Sequence, residues 1–183
     1  FFVGFEELLR LYEDQLSPYQ LQNASDGTEL CSATLVGRDG RRASLRVRCL
    51  APSRTDCTSF MSQARASNLF SVLMGTTPTR RQQCNRVSVV TLIDFGTTRV
   101  LLSADAEKGT WEEILAKNPV DELKCNFLKV GHHGSANAVD ENLAAALSKG
   151  KGHDTVAVIA PSWEHGLPDP KTGREPHAVV QLR

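Results

Sequence analysis

The chain has 183 residues, 40% hydrophobic and 23% charged, the proportions of one ordinary globular domain. No stretch approaches the roughly 18 consecutive apolar residues of a membrane span, and Phe1-Phe2-Val3-Gly4-Phe5 is too short, with no basic stretch ahead of it, to be a secretory leader. Net charge is zero, but residues 1–90 hold eleven Arg, no Lys and eight acids, so a polyanion would have to be attracted locally, by the six arginines between Arg38 and Arg54.

Leu8, Leu9, Leu11 and Leu16 have helical spacing, and Ser17-Pro18 stops that run. Asp26-Gly27 signals a turn. Glu29 to Leu50 reads as two strands around Gly37-Arg38-Asp39-Gly40. In the second, Leu45, Val47 and Cys49 alternate with Ser44, Arg46 and Arg48, the mark of a half-buried strand. Ala51 to Gln83 is polar and irregular, with a short helix expected near Thr58 to Leu73. Val87 to Phe95 is almost wholly apolar and predicts a central strand. Gly96-Thr97-Thr98 turns it into a partner strand that ends at Ser103-Ala104-Asp105. A helix is expected around Trp111 to Lys117 and a strand over Asn126 to Val130. Asp140 is placed to cap a helix through Leu147, with Gly150 beyond it. Val156 to Ala160 is one more strand, and Pro176 to Arg183 is expected to open a last helix.

The second half therefore alternates strand and helix, which defines the fold class as α/β. In such sheets, sites gather beyond the carboxyl ends of the strands. Those ends carry Asp105, then His132 and His133, then the loop with His165, Asp169 and His177. Asp105 directly follows a buried run, so its carboxylate must be solvated, paired, bound to metal, or used as a helix cap. In Gly131-His132-His133-Gly134-Ser135 the two imidazoles point different ways, and the glycines allow a ligand close to the backbone. His177 is either a late ligand or a helix-terminal surface residue. His165 and His153 read as loop residues. The five cysteines, Cys31, Cys49, Cys57, Cys84 and Cys125, are odd in number and form no CxxC pair. That argues against a disulfide framework or a thiolate zinc site and points to a cytoplasmic chain in which most are small core residues.

Three segments in order carry a resemblance: Asn85-Arg86-Val87-Ser88, then Leu101-Leu102-Ser103-Ala104-Asp105, then Lys129-Val130-Gly131-His132-His133-Gly134-Ser135. Together they resemble the "NxxS", "LLTGD" and "KxxHHGS" segments of metallo-β-lactamase-fold hydrolases of the ComEC-like competence type. The resemblance implies an αββα sandwich, two zinc ions (or manganese), and a phosphodiesterase or nuclease acting on nucleic acid, as an effector domain of a larger protein. It assigns Asp105 as the bridging metal ligand and His132, in preference to His133, as the late histidine ligand. His133, Ser135 and His177 are expected to assist catalysis, and Asn85 to lie nearby. The family's HxHxDH motif is absent from residues 1–183, so the resemblance implies the C-terminal part of an incomplete domain. Its missing ligands are expected from the rest of its own chain or from a partner chain, and residues 1–183 alone are expected to be inactive. The sequence departs from the pattern at Ala104, where the family has glycine, and at Glu175, where it has histidine before Pro176. The alternative those departures raise is a degenerate fold kept as a binding or scaffolding module.

Overall fold

The computed structural model describes residues 24–66, 84–148, 155–169 and 179–182. The helix expected near residues 6–15, and His153, Pro176 and His177, lie outside them.

One mixed, open sheet runs in the order β1-β2-β3-β4-β5-β6-β7. β1 (Glu29–Val36) and β2 (Arg42–Ala51) form an antiparallel hairpin, closed where Gly37 N–H donates to the Arg41 carbonyl at 2.8 Å. β3 (Val90–Phe95) pairs antiparallel with β2 and with β4 (Thr98–Leu102). Gly96 supplies the positive φ of +57° that starts the two-residue turn between them. From β4 the pattern changes. β4, β5 (Phe127–Lys129) and β6 (Thr155–Val158) are parallel, joined through helices. The helices are α1 (Arg54–Ala66), α2 (Lys108–Lys117), the single-turn α3 (Val120–Leu123) and α4 (Glu141–Leu147). The α/β class is therefore as expected, and the described residues form one sheet.

The two faces of the sheet differ. Leu92, Leu101, Leu128 and Ala157 are paired across β3 to β6, and all four are buried. Directly opposite partners share a face, so this row is the floor on which Trp111 and Ile114 of α2 and Leu143 and Leu147 of α4 complete the core. On the other face Ile93, Val100, Leu102, Phe127, Val156 and Val158 are apolar yet only partly buried.

Most expected elements appear with shifted ends. α1 starts at Arg54, four residues before the expected Thr58, because Ser53 and Asp56 bind each other there: Ser53 Oγ donates to Asp56 Oδ2 and accepts from Asp56 N–H. β3 begins at Val90 instead of Val87. Residues 84–86 are helical and end in a turn at Val87, with Val87 and Ser88 N–H donating to the carbonyls of Cys84 and Asn85. Asp140 caps α4 as expected, accepting from Leu143 N–H at 2.8 Å. The final helix is a correction: Val179–Leu182 is strand β7, antiparallel to β6. Val179 and Val180 favour strand, and without β7 the edge of β6 would be left unpaired.

The arginine-rich stretch is partly neutralised. Arg46 pairs with Glu29 at 2.6 Å, and Arg48 reaches Asp94 and Glu122, both at 3.4 Å. Arg41 meets Asp39, leaving Arg38, Arg42 and Arg54 as exposed cations with no acidic partner shown among the described residues. Cys49 and Cys125 are buried, but Cys31 is exposed. Burial pushes the Cys49 and Cys57 thiols up, away from the reactive thiolate. No helix among the described residues is long and apolar enough to cross a membrane.

Candidate functional site

Parallel strands bring their carboxyl ends to one edge of the sheet, and three loops meet there. The loop after β4 holds Ser103 to Glu107, that after β5 holds Val130 to Ser135, and that after β6 runs from Ile159 to Asp169. They are bound to one another through the backbone. His132 N–H donates to the Ala104 carbonyl at 3.0 Å, and Asp169 N–H donates to the Gly134 carbonyl at 3.0 Å. Ser103 Oγ donates to the Lys129 carbonyl at 2.7 Å, and the Lys129 ammonium lies 3.5 Å from the Ala104 carbonyl. A Cβ added at Gly131 would sit 3.1 Å from the carbonyl oxygens of both Ala104 and Ala106. Only glycine lets the two loops approach this closely.

The backbone here is strained. Ala104, His132 and His133 take φ values of +46°, +45° and +54°, and Gly134 follows at +76°. Left-handed conformations cost a non-glycine residue about 1–2 kcal/mol each, and they concentrate at functional sites. Ala104 thus takes a conformation that glycine adopts freely. Ala104→Gly should raise stability by about 0.5 kcal/mol, the strain relieved less the greater freedom of glycine in the unfolded chain. A rise in the urea midpoint would show this, and an unchanged or lower midpoint would count against it.

His132 is held by side chains. Its Nδ1 lies 3.1 Å from Glu107 Oε1, and Ser135 Oγ lies 3.3 Å from the same nitrogen. Glu107 Oε1 also accepts from the Asn85 amide at 2.9 Å. Asn85 is positioned from behind. Its neighbour Arg86 reaches Asp56 of α1 at 2.9 Å and Glu113 of α2 at 2.6 Å, and the hydrogen bond to Asp56 is the main reason the guanidinium pKa is raised. His133 turns away, with Nδ1 against the Ala160 carbonyl at 2.9 Å. A carbonyl only accepts, so this nitrogen carries the proton. The imidazoles diverge, as the paired-histidine pattern implies.

Asn85, Asp105, His132, His133 and Ser135 all fall on this edge, with Asn85, His132 and Ser135 joined in one polar network. The node of that network is Glu107, which the sequence reading passed over. Its signal was its position, in front of α2 where a capping residue is expected. Asp105 is partly buried and does not cap α2, because Glu107 occupies that place. His165 stays within its own turn, 3.0 Å from Ser162 Oγ. His177 is outside the described residues.

Among the described residues, no group of three or more His, Cys, Asp or Glu side chains is arranged to hold a metal ion. No family model matches the chain, and neither do any curated proteins or solved structures.

Proposed function

We propose that this edge is part of a metal-dependent hydrolase site, that the fold is one half of a metallo-β-lactamase-type αββα sandwich, and that the substrate is a nucleic-acid phosphodiester. The observation that carries the reading is the stitching of the Asp105 loop to the His132 loop, with His132 Nδ1 engaged by a carboxylate. A metal-binding imidazole is commonly fixed in this way from its far nitrogen. For the sandwich, the support is the partly buried apolar face of Ile93, Val100, Leu102, Phe127, Val156 and Val158, which a second sheet would cover.

The donors present fit such a metal in part. Asp105 offers a carboxylate and His132 offers Nε2. Zinc takes about four ligands, so further donors must come from outside the described residues, where His177 lies. When bound, a metal pair supplies Lewis acidity and lowers the pKa of a coordinated water. The chain's own contribution is placement. Glu107 and Asn85 orient His132, while Gly131 and Gly134 let the loops after β4, β5 and β6 pack against one another. His133, with Nδ1–H on the Ala160 carbonyl, leaves Nε2 to take up a proton and pass it to a leaving group as the imidazolium, and Ser135 lies on the same loop beside His132. Of the exposed arginines, Arg54 follows the end of β2 on this side of the sheet, whereas Arg38 and Arg42 lie at the hairpin on the opposite end, and zero net charge limits nonspecific attraction. Nucleic acid as the substrate class rests on the resemblance.

Elemental analysis of the intact protein that carries this chain tests the proposal, beside Asp105→Ala and His132→Ala. About two zinc or manganese ions per chain are expected, with metal and nuclease activity on single- or double-stranded DNA lost in both variants while circular dichroism is unchanged. Absence of metal after loading would overturn it, as would metal kept in both variants. The absence of a three-donor cluster among the described residues motivates a second reading, a degenerate fold kept for binding, which metal-free intact protein would favour.

A further inference from the structure

Glu107 stands at the N-cap of α2, where Ser, Thr, Asp or Asn normally satisfies the first N–H groups of a helix. Its side chain makes no capping bond. It crosses to the neighbouring loop, and the same oxygen faces both the Asn85 amide and His132 Nδ1. Only a quarter of the Glu107 side-chain surface and under a third of that of His132 are exposed, at 25% and 30%. Water therefore competes only weakly for these bonds. The Arg86 pairs tie the helical segment that carries Asn85 to α1 and α2, so the amide arrives from a braced element.

We propose that Glu107 is a positioning residue for His132: it fixes the imidazole in the Nδ1–H tautomer and points the Nε2 lone pair outward, and Asn85 locks the Glu107 carboxylate in register for that task. The carboxylate can only accept, so a neutral His132 must carry its proton on Nδ1 to meet it. Nε2 is then the nitrogen left with a lone pair, ready to face a ligand before one arrives. The alternative tautomer sets a lone pair against the carboxylate and turns an N–H toward the open side. Because Glu107 contributes no cap bond to α2, removing its side chain releases the imidazole without uncapping the helix. The inference rests on the hydrolase reading only in naming Nε2 as the side that meets the ligand; the tautomer itself is a property of the metal-free chain.

The test is ¹⁵N-edited NMR of the neutral His132 ring in the metal-free chain. Wild type should show a protonated Nδ1 and an unprotonated Nε2. Glu107→Ala should give a mixture or the reverse tautomer, with backbone resonances elsewhere preserved, and Glu107→Asp should fall between. Asn85→Ala, which keeps the carboxylate, should broaden the ring signals while retaining the Nδ1–H form as the majority. The proposal is overturned if wild-type His132 is protonated on Nε2, or if the Nδ1–H form persists in Glu107→Ala with the fold intact. If Glu107→Ala unfolds, unchanged ring signals in Asn85→Ala overturn it instead. Failure to bind metal alongside the expected tautomers would defeat the hydrolase reading and leave this one standing.

Discussion

Replacing Gly134 by alanine should lower stability by about 3 kcal/mol, summing a left-handed penalty with overpacking. Gly134 has φ +76°, and an added Cβ would lie 2.8 Å from Pro168 Cβ and 3.1 Å from Ile159 Cγ2. Neither neighbour is the far end of a flexible chain. The proline ring is fixed by its own backbone, and Ile159 is buried. The loop after β5 would have to lift from the loop after β6, and the bond from Asp169 N–H to the Gly134 carbonyl would stretch. Gly40→Ala is the control, because Gly40 has φ +77° and nothing within 4 Å of the added Cβ. It should cost only the conformational share, about 1 kcal/mol. Urea denaturation of both variants separates the two contributions. Equal losses would mean that the histidine loop does not press on Pro168 as described.

The second large effect is expected at Trp111. Trp111→Ala should cost about 3–5 kcal/mol, the usual range for emptying a buried aromatic site. The indole is 2% exposed and packs in the main cluster with Ile114, Leu123, Leu128 and Leu143. That loss is a large share of the about 5–15 kcal/mol that holds a typical domain. Function should suffer with it, because α2 carries Glu107 at its start. Trp111→Phe should cost much less. The indole Nε1 has no hydrogen-bond partner among the described residues, so phenylalanine gives up little polar contact while keeping most of the packing. Thermal unfolding of the two variants checks this. A phenylalanine variant as unstable as the alanine one would show that the indole N–H is satisfied and matters.

The sequence was most legible where local chemistry and tertiary demand agree. The Gly37–Gly40 and Gly96-Thr97 turns were readable because their glycines permit backbone shapes that few other residues tolerate. Asp140 was readable as a cap because its side chain acts within three residues of itself. The apolar runs Val100-Leu101-Leu102 and Asn126 to Val130 disclosed two of the strands, and with them the edge where Asp105 and His132 fall. Errors came where distant partners decide. Val87 to Val89 are apolar enough for strand, but they follow the helical residues 84–86, where Asn85 and Arg86 are held by Glu107, Asp56 and Glu113. Residues 179–182 were read as helix because Pro176 suggests a helix start, whereas pairing with β6 was invisible locally. Glu107 was missed for a related reason. A glutamate before a helix is ordinary in sequence, and only the fold reveals that it serves a histidine on the next loop.

β2 and β3 are neighbours in the sheet although residues 52–89 separate them in the chain. Closing such an excursion costs entropy that grows only with the logarithm of its length, about 0.6 kcal/mol per doubling. Arg86 clamps the far end of that excursion to Asp56 of α1 at its near end, so the place of Asn85 is set by a side-chain pair and not by the number of residues between. Insertions or deletions there should change the closure entropy slightly and leave Asn85 at its station beside Glu107. The scaffold therefore separates a stretch that can drift in length from a contact that must stay fixed.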